Sequence, residues 1–546
     1  MSFRKRTLWS GLAVAALSAA TLVNAQGTAL NPSLSVESGV LRAPPRGEDG
    51  VLAFKGIPYA APPVGGLRWH APMPAPKWDG VRDAAAFGPS CLSAWKDDRE
   101  PGLRRSEDCL TLNVWTGAKV ASERRPVMVW LHGGGFQFGT SASPQFGGTQ
   151  FARKGVVIVS LNYRVGVLGF LAHPVLDQEG PSGDYGLQDQ LAALRWVKGN
   201  IARFGGDPAN VTLFGESAGA HAVGILMASP LSHGLFHKAI GQSGAFWDGP
   251  YGPLEDRHDA QARGTAFVQR HAAGSIEALR ALPAEQLNAA ALWDFSTNPA
   301  ETAFSPNVDG HVVPIEPPAR FARGEQMRIP LLAGWVQDEG YPFAALGLPH
   351  RTAGEFRNAA RAMFGRKRMA EFLKLYPAAT DEQANLSANV LAGDIVIGEQ
   401  VWQWLEWQRR TAQPVYGYTF TYTSPYTPIA AHITDVPFVF GTLTPQFIIG
   451  SRTPSAAADR AFSDRVMSYW VNFAAHGDPN SPGLPHWPKY GAKGTIQELG
   501  QTIGPRANAS LARFRFLSSY RKRGLLPAKW SSVVARGQQP DQQESH

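Results

Sequence analysis

Residues 215–219 read Gly-Glu-Ser-Ala-Gly and fit the pattern G-x-S-x-G. The preceding run, Val211-Thr212-Leu213-Phe214, predicts a short buried strand, and a helical stretch follows the motif. A serine on a sharp strand-to-helix turn is held in a strained backbone conformation, and flanking glycines let neighbouring backbone approach without Cβ clashes. A bare match arises by chance in many chains. In this context, however, Ser217 is predicted to be a nucleophile presented at a helix N-terminus, where the dipole favours a developing anion.

A glycine run upstream could supply the second requirement of acyl transfer, which is a set of donors for the oxyanion. The residues are His132-Gly133-Gly134-Gly135-Phe136, directly after an apolar run. A triple glycine on its own is more often a flexible loop. Paired with G-x-S-x-G, it predicts that the backbone N–H groups of Gly134 and Gly135, with that of Ala218, form an oxyanion hole.

A serine hydroxyl also needs a base, and the chain holds 14 histidines. His432 is the strongest candidate, because it follows a late predicted strand and comes after the serine in chain order. His221 competes, since position i+4 of a helix shares a face with Ser217. Its side chain is expected to point along the helix beneath the nucleophile, which favours a packing or supporting role over that of the base.

The third member of a triad should be a carboxylate that follows a strand between serine and histidine. Asp338 and Glu339 both come just after the predicted strand at Ile329–Ala333. Either could hold the imidazole in its productive tautomer and stabilise the charged form. The residue types alone do not choose between these adjacent acids.

The surrounding pattern predicts an α/β fold. Short apolar, β-branched runs alternate with helical spacing, as expected for a mostly parallel sheet with helices on both faces. The stretches at about 256–325 and 352–413 are mainly helical and loop-like, which predicts insertions over the sheet rather than separate domains. The predicted strands are Val127–Leu131, Val156–Leu161, Val211–Phe214, Ile329–Gly334 and Val415–Phe420, and the clearest helix is Leu187–Ile201.

The N-terminus has the pattern of an export signal. Arg4, Lys5 and Arg6 precede an apolar stretch from Gly11 to Val23, which ends in the small-residue cleavage pattern Val23-Asn24-Ala25. The stretch is short for a bilayer span, so we expect cleavage near Ala25 and a secreted or periplasmic protein without stable membrane insertion. Residues 26–535 are predicted to be the catalytic domain, and 536–546 a polar, disordered tail.

The composition limits the classes of partner that the protein is expected to bind. Hydrophobic residues make up 44% and charged residues 18%, which is typical of globular proteins. The net charge is +8, and the basic residues are scattered along the chain. The short run Arg521-Lys522-Arg523 is most simply a solvated helix end, so no nucleic-acid partner is predicted.

The two cysteines, Cys91 and Cys109, predict one disulfide in an exported protein. The sequence shows no cluster of metal-binding residues at close spacing, so no metal site is predicted. Acyl transfer by a serine requires no cofactor.

Several motifs together resemble the type-B carboxylesterases, the α/β-hydrolase family that includes the cholinesterases. The likeness covers nearly the whole chain beyond the leader. The matching stretches are Phe54–Ala60 with Leu67-Arg68-Trp69, Ser106–Leu110 with Leu112–Trp115, Phe204–Pro208, Phe214–Gly219, and the acidic-Val-Pro-Phe-Val-Phe-Gly stretch at 435–441.

The resemblance implies an α/β-hydrolase fold and assigns roles that the residues alone leave open. The family acid is the Glu of an Asp-Glu-Gly motif, which falls on Glu339, and the family histidine falls on His432. The first family disulfide falls on Cys91 and Cys109. Glu216 occupies the acidic position beside the nucleophile, and Ser243 matches a position that supports the acid in relatives.

The sequence also departs from the family. Trp95 does not have the spacing of the choline-binding tryptophan, which argues against choline esters. His221 replaces a residue that is usually small. Phe246 and Trp247 are expected to border the acyl pocket, although ordinary core aromatics would look the same.

These observations predict a secreted serine ester hydrolase that acts through an acyl-enzyme on small to medium carboxylic esters. Its partner is then a small-molecule substrate. The sequence leaves open both the identity of that substrate and the oligomeric state of the protein. An interfacial lipase and a non-catalytic binding protein of the same fold are the alternatives. The latter typically loses triad members, whereas all three positions are filled here.

Overall fold

A computed structural model describes residues 29–93, 102–245, 254–292, 303–340, 352–445, 449 and 451–521. A ten-stranded sheet with the order β13-β12-β11-β10-β9-β8-β6-β7-β5-β3 crosses the molecule, and β1, β2 and β4 form a small second sheet. The strands are β1 Ser33–Val36, β2 Gly39–Arg42, β3 Leu52–Pro58, β4 Val81–Asp83, β5 Thr111–Thr116, β6 Arg125–Leu131, β7 Val157–Leu161, β8 Gly206–Glu216, β9 Lys238–Gln242, β10 Leu331–Val336, β11 Val415–Phe420, β12 Thr495–Leu499 and β13 Ile503–Ala507.

The strands from β7 through β6, β8, β9, β10 and β11 to β12 pair in parallel, and the pairs at the two ends are antiparallel. Parallel strands place their carboxyl ends at one edge of the sheet, where ligands bind in open α/β sheets. Because β8, β10 and β11 lie within this central block, the loops that follow them are brought to the same edge.

Strand β6 shows why these sequences form buried strands. Met128 and Trp130 pack into one hydrophobic cluster, and Val127, Val129 and Leu131 pack into the other. Successive side chains of a strand point to opposite faces, so a continuous apolar run fits a strand that is covered on both faces. The sheet therefore needs helices on each side.

Fifteen α-helices are present among the described residues, with a π-helical segment at Asp394–Gly398. They are α1 Thr149–Arg153, α2 Gly166–Phe170, α3 Tyr185–Asn200, α4 Ala218–Ala228, α5 Arg257–Ala272, α6 Ile276–Ala281, α7 Ala284–Ala290, α8 Pro317–Arg323, α9 Ala353–Phe364, α10 Met369–Leu375, α11 Asp381–Gly393, α12 Glu399–Gln408, α13 Val436–Phe440, α14 Ala457–His476 and α15 Leu511–Arg521. The 3₁₀ turns are Gly65–Leu67, Ala121–Glu123, Pro144–Phe146, Leu176–Gln178, Ile201–Phe204, Pro230–Ser232, Arg366–Arg368 and Arg409–Thr411.

The helices cover both faces of the sheet. Helices α3, α4 and α12 contribute to the cluster that holds Val129, whereas α1, α13 and α14 contribute to the cluster that holds Trp130. This confirms the predicted α/β architecture and is consistent with an α/β-hydrolase fold. Within the described residues, no helix has the length and hydrophobicity needed to cross a lipid bilayer.

The predicted elements agree with the structure apart from their ends. Strand β11 has the predicted bounds, and α3 lies within two residues of the predicted helix. The predicted strand at Ile329–Gly334 begins at Leu331 instead, because Pro330 has no N–H to donate to the ladder and contributes only its carbonyl to Ala239. The predicted strand at Val211–Phe214 extends over Gly206–Glu216.

Helices α5–α8 and α9–α12 occupy the two stretches that were predicted to be helical insertions. The predicted leader at 1–25 and tail at 536–546 lie outside the described residues, as do Lys522 and Arg523, so those assignments and the domain limits remain predictions.

The predicted disulfide is formed between Cys91 and Cys109, whose Cα atoms are 5.0 Å apart. Both cysteines are buried, and Cys109 lies two residues before β5. The bond therefore ties the loop after β4 to the start of β5, the second strand from one edge of the main sheet. It closes a loop with a sequence separation of 18.

We expect that replacing both cysteines by serine lowers the free energy of unfolding by about 3 kcal/mol, because the cross-link restricts the unfolded chain. Urea unfolding followed by tryptophan fluorescence, with and without dithiothreitol, measures the change. Reductant should lower the midpoint of the wild-type protein and leave that of the double variant unchanged. An unchanged wild-type midpoint under reducing conditions would contradict the prediction.

Candidate active site

Ser217 lies between the end of β8 and the start of α4, with φ 54° and ψ −124°. Positive φ is strained for a residue with a Cβ, and it persists only where the surroundings enforce it. The N–H of Ser217 donates to the carbonyl oxygen of Gln242 at 2.9 Å, which fixes the turn to the end of β9. Ser217 is half-buried, whereas its neighbours Glu216 and Ala218 are buried.

The glycines on either side of this turn are required by close contacts. A Cβ on Gly219 would lie 2.1 Å from the carbonyl oxygen of Leu131, and a Cβ on Gly215 would lie 2.5 Å from the carbonyl carbon of Gly219. Both contacts are with backbone atoms, which cannot swing aside. The turn can therefore form only with glycine at these two positions, as the motif predicted.

His432 and Glu339 meet beside this turn. His432 Nδ1 lies 2.7 Å from Glu339 Oε2, and Glu339 Oε1 accepts a hydrogen bond from the N–H of Val336 at 2.9 Å. Glu339 follows β10 and His432 follows β11, so two neighbouring parallel strands bring the pair together. The carboxylate contact means that Nδ1 carries the proton, which leaves Nε2 as the basic nitrogen.

Asp338, the other candidate acid, has a different setting. Its N–H donates to the carbonyl oxygen of Ala430 at 2.9 Å, and its side chain is half-buried. The structure thus places the carboxylate of Glu339, rather than that of Asp338, on the imidazole of His432.

The loop that carries Glu339 is packed against helix α11. A Cβ on Gly340 would lie 1.8 Å from the carbonyl oxygen of Asn389, and a Cβ on Gly393 would lie 2.9 Å from the Cβ of Glu339. The end of α11 therefore comes into direct contact with Glu339 and Gly340. One helical insertion is part of the support for the site.

Glu216 provides a second carboxylate next to His432, with 3.2 Å between Glu216 Oε1 and His432 Nε2. Burial raises the pKa of Glu216. Burial alone would lower the pKa of His432, but the adjacent carboxylates of Glu216 and Glu339 outweigh that effect and raise it. An anion close to an imidazole favours its charged form.

A buried network that sequence reasoning missed lies behind this pair. Asp435 Oδ2 accepts hydrogen bonds from Gln242 Nε2 at 3.0 Å and from the hydroxyl of Tyr418 at 3.2 Å. The Nε1 of Trp470 donates to Gln242 Oε1 at 3.2 Å. Burial is the main reason that the pKa of Asp435 is raised, to about 6. Asp435 stands in the motif that pointed to His432, but nothing in the motif pairs it with Gln242.

The predicted oxyanion loop lies directly against Ser217. A Cβ on Gly133 would be 3.1 Å from the Cβ of Ser217, and Gly134 and Gly135 have φ of 105° and 61°. Among the described residues, no protein acceptor is paired with the N–H of Gly134, Gly135 or Ala218. Backbone N–H groups next to a serine without acceptors of their own are suited to bind an anion.

The remaining predicted residues are placed as follows. His221 is buried on α4, and its Nδ1 lies 2.8 Å from the carbonyl oxygen of Ser217. The hydroxyl of Ser243 is buried without a hydrogen-bond partner in the described part of the chain, so a direct bond to Glu339 is not observed and its supporting role remains a prediction. Phe246, Trp247 and Trp95 lie outside the described residues.

The described residues offer little to bind a metal ion. The one group of side chains close enough to share an ion consists of Asp256, His258 and Asp259. All three are exposed on the first turn of α5, where Asp256 already caps the N–H of Asp259. The cluster is remote in sequence from the site and is explained by helix capping.

Comparison with known proteins agrees with this geometry. A sequence model of the carboxylesterase family matches residues 33–512. The chain is 38% identical to a fumonisin B1 esterase from Sphingopyxis macrogoltabida, over 84% of this chain and 85% of the relative. It is 36% identical to a para-nitrobenzyl esterase from Bacillus subtilis, over 81% and 90%. It is 32% identical to carboxylesterase 1D from Rattus norvegicus, over 88% and 92%.

The family match covers the strands, the strained serine turn and the loops that carry the acid and the histidine. The expectation raised by the sequence motifs is thereby confirmed. The chain belongs to the type-B carboxylesterase family and is a serine carboxylic ester hydrolase.

Proposed function

We propose that the enzyme cleaves its ester through an acyl-enzyme on Ser217, with His432 as base and Glu339 as the acid that orients it. Ser217 Oγ attacks the carbonyl carbon of the ester while its proton passes to His432 Nε2. The C–O bond to the alcohol then breaks, and the alcohol leaves with that proton. Water attacks the acyl carbon while His432 Nε2 takes one of its protons. The bond between the acyl carbon and Ser217 Oγ then breaks, Oγ takes that proton back from His432, and the carboxylic acid leaves.

One observation carries this proposal. The buried imidazole of His432 is held at Nδ1 by Glu339, and it lies at the same sheet edge as the strained turn of Ser217. A nucleophile next to a base that a third group orients is the arrangement required for covalent catalysis. The N–H groups of Gly134, Gly135 and Ala218 are the proposed oxyanion donors, because they lie beside Ser217 and have no protein acceptor within the described residues.

The charge of Glu216 is proposed to assist the transfer of the proton from Ser217 to His432. Its carboxylate next to Nε2 favours the imidazolium that forms when Ser217 loses its proton. The chemistry is carried by side chains and backbone N–H groups alone, so the proposal includes no metal and no organic cofactor. Ser243 and the pair Phe246 and Trp247 keep their proposed roles, in supporting the acid and bordering the acyl pocket.

We further propose that the substrates are small to medium carboxylic esters and that the enzyme is exported. Three relatives have names that describe esterases or a carboxylesterase, which supports the substrate class. The leader pattern at 1–25 and the disulfide between Cys91 and Cys109 support export, because disulfides persist in oxidising compartments.

We expect Ser217→Ala to abolish turnover of a soluble nitrophenyl ester, by a factor on the order of 10⁵ or more. It should also abolish covalent labelling by an organophosphate, measured as the mass increase of the intact protein. Ser468→Ala is the matched control, because Ser468 lies on α14, where it contacts Lys154. Labelling of the Ser217→Ala protein would contradict the assignment of the nucleophile.

The pH dependence tests the role of Glu216. His432 must be neutral to act as a base, so kcat/KM falls as the pH drops through its pKa. Because Glu216 raises that pKa, Glu216→Gln should move the acidic limb of the profile to lower pH, by about one unit or more. Glu371→Gln, at an exposed surface carboxylate, is the control. An acidic limb that stays in place in the Glu216→Gln protein would rule out this electrostatic role.

The alternatives are separated by the acyl chain length of the substrate. We expect the highest kcat/KM with short acyl chains in nitrophenyl esters below their solubility limit. A sharp rise in rate above that limit would identify an interfacial lipase instead. No hydrolysis of any chain length, with the fold intact by circular dichroism, would favour a binding protein.

A further inference from the structure

Each proposed oxyanion donor is one end of a peptide unit whose other end is a carbonyl. The N–H of Gly134 shares its peptide with the C=O of Gly133, and the N–H of Ala218 shares its peptide with the C=O of Ser217. In a planar trans peptide the N–H and the C=O point in opposite directions. A hydrogen bond that fixes the carbonyl therefore also fixes the direction of the N–H.

The carbonyl of Gly133 is bound by a histidine side chain. His132 Nδ1 lies 2.9 Å from the carbonyl oxygen of Gly133. The ring stacks on Tyr163 at 4.3 Å between centroids, and the Tyr163 hydroxyl donates to the carbonyl oxygen of His132 at 2.7 Å. A Cβ on Gly139 would lie 2.2 Å from His132 Nδ1. The imidazole is thus clamped with its Nδ1 on that carbonyl.

The carbonyl of Ser217 is bound in the same way by His221. Its Nδ1 lies 2.8 Å from the carbonyl oxygen of Ser217, which also accepts the N–H of His221 at 2.9 Å. A Cβ on Gly244 would lie 2.5 Å from that carbonyl oxygen and 3.0 Å from Nδ1. The ring is therefore packed closely against the backbone after β9.

Both imidazoles have one chemical state that fits these contacts. A carbonyl oxygen only accepts, so Nδ1 must carry a proton in each ring. Nε2 is buried without a hydrogen-bond partner among the described residues in both cases. Burial lowers the pKa of His132 and that of His221, each to about 4, so both rings are neutral near pH 7.

The third donor needs no side chain for its orientation. The carbonyl of Gly134, which shares a peptide with the N–H of Gly135, accepts the backbone N–H groups of Gln137 at 2.9 Å and Phe138 at 3.2 Å. The turn itself orients this peptide. Only the donors at Gly134 and Ala218 have a carbonyl that is bound by an imidazole.

We propose that His132 and His221 are positioning residues, which direct the N–H groups of Gly134 and Ala218 by hydrogen bonds from Nδ1 to the carbonyls of Gly133 and Ser217. This rests on the proposed function, since it assumes that these N–H groups bind the oxyanion. Both rings are buried, and the proposal gives neither of them a contact with the substrate. The two residues act on the transition state through the peptide that each one holds.

The proposal predicts a specific kinetic pattern. Loss of one oxyanion donor costs about 10²–10³ in kcat, and a donor that is misdirected rather than lost should cost part of that. We expect His132→Leu to lower kcat by about 10- to 100-fold with little change in KM. His221→Leu should have a smaller effect of the same kind, because Ser217 O keeps the backbone donor of residue 221.

Asparagine is the matched rescue, because its amide N–H₂ can donate from nearly the position of Nδ1. His132→Asn and His221→Asn should recover kcat to within a few-fold of wild type. A packing role alone would not predict this recovery, since Asn is smaller and more polar than Leu. A boronic acid that forms a tetrahedral adduct with the serine should lose affinity in the Leu variants in parallel with kcat/KM.

The experiment measures kcat, KM and boronic acid affinity for the four variants, each normalised to active sites counted by complete organophosphate labelling. This count removes any misfolded fraction. Unchanged kcat per site in His132→Leu, or Asn variants no better than Leu variants, would overturn the proposal. An effect at His132 without one at His221 would overturn the part that concerns His221. If the wild-type protein is not labelled at Ser217, the proposed function fails instead.

Discussion

The backbone of Ser217 is the constraint around which the rest of the site is arranged. A residue with positive φ at the end of a parallel strand is stable only if the surrounding contacts hold the chain on both sides in one conformation. Here the strand β8 fixes the entry, the contact of Gly219 with Leu131 fixes the start of α4, and the hydrogen bond to Gln242 fixes the turn to β9. The energy for this strain comes from burial of the sheet between two hydrophobic clusters.

A second constraint is the burial of several acids around a single imidazole. Glu216, Glu339 and Asp435 are all buried, and each has a defined polar neighbour. A buried charge is tolerated only when it is paired and hydrogen-bonded, or when it is neutralised by a proton. These buried acids surround His432, the group proposed to become positive during catalysis, and negative charge at that position would lower the barrier.

Local patterns identified much of this from the sequence, because the relevant signals are short in range. The strained turn and the glycine run are each specified by about five consecutive residues, and the buried strands are continuous apolar runs. The choice between Asp338 and Glu339 needed the family resemblance, since two adjacent acids carry the same local signal. In the structure they differ because the side chain of Glu339 reaches both Val336 N and His432.

Other features depend on contacts that no local pattern encodes. The bond from Gln242 to Asp435 joins residues 193 positions apart. The sequence favoured a packing or supporting role for His221, but the hydrogen bond of its ring to the carbonyl of Ser217 requires the three-dimensional direction of the side chain. The ends of strands were also displaced, as at Pro330, because pairing with neighbours decides where a ladder begins.

The contact between α11 and the loop that carries Glu339 limits which segments could be exchanged between this protein and a relative. Gly340 and Gly393 leave no room for a side chain at the point where the helix meets the loop, and Asn389 supplies the carbonyl that approaches most closely. A chimaera that exchanges this insertion to alter substrate range would therefore have to carry both sides of the contact together. Glu339, the proposed acid, and helix α11 would then have to be inherited or exchanged as a single unit.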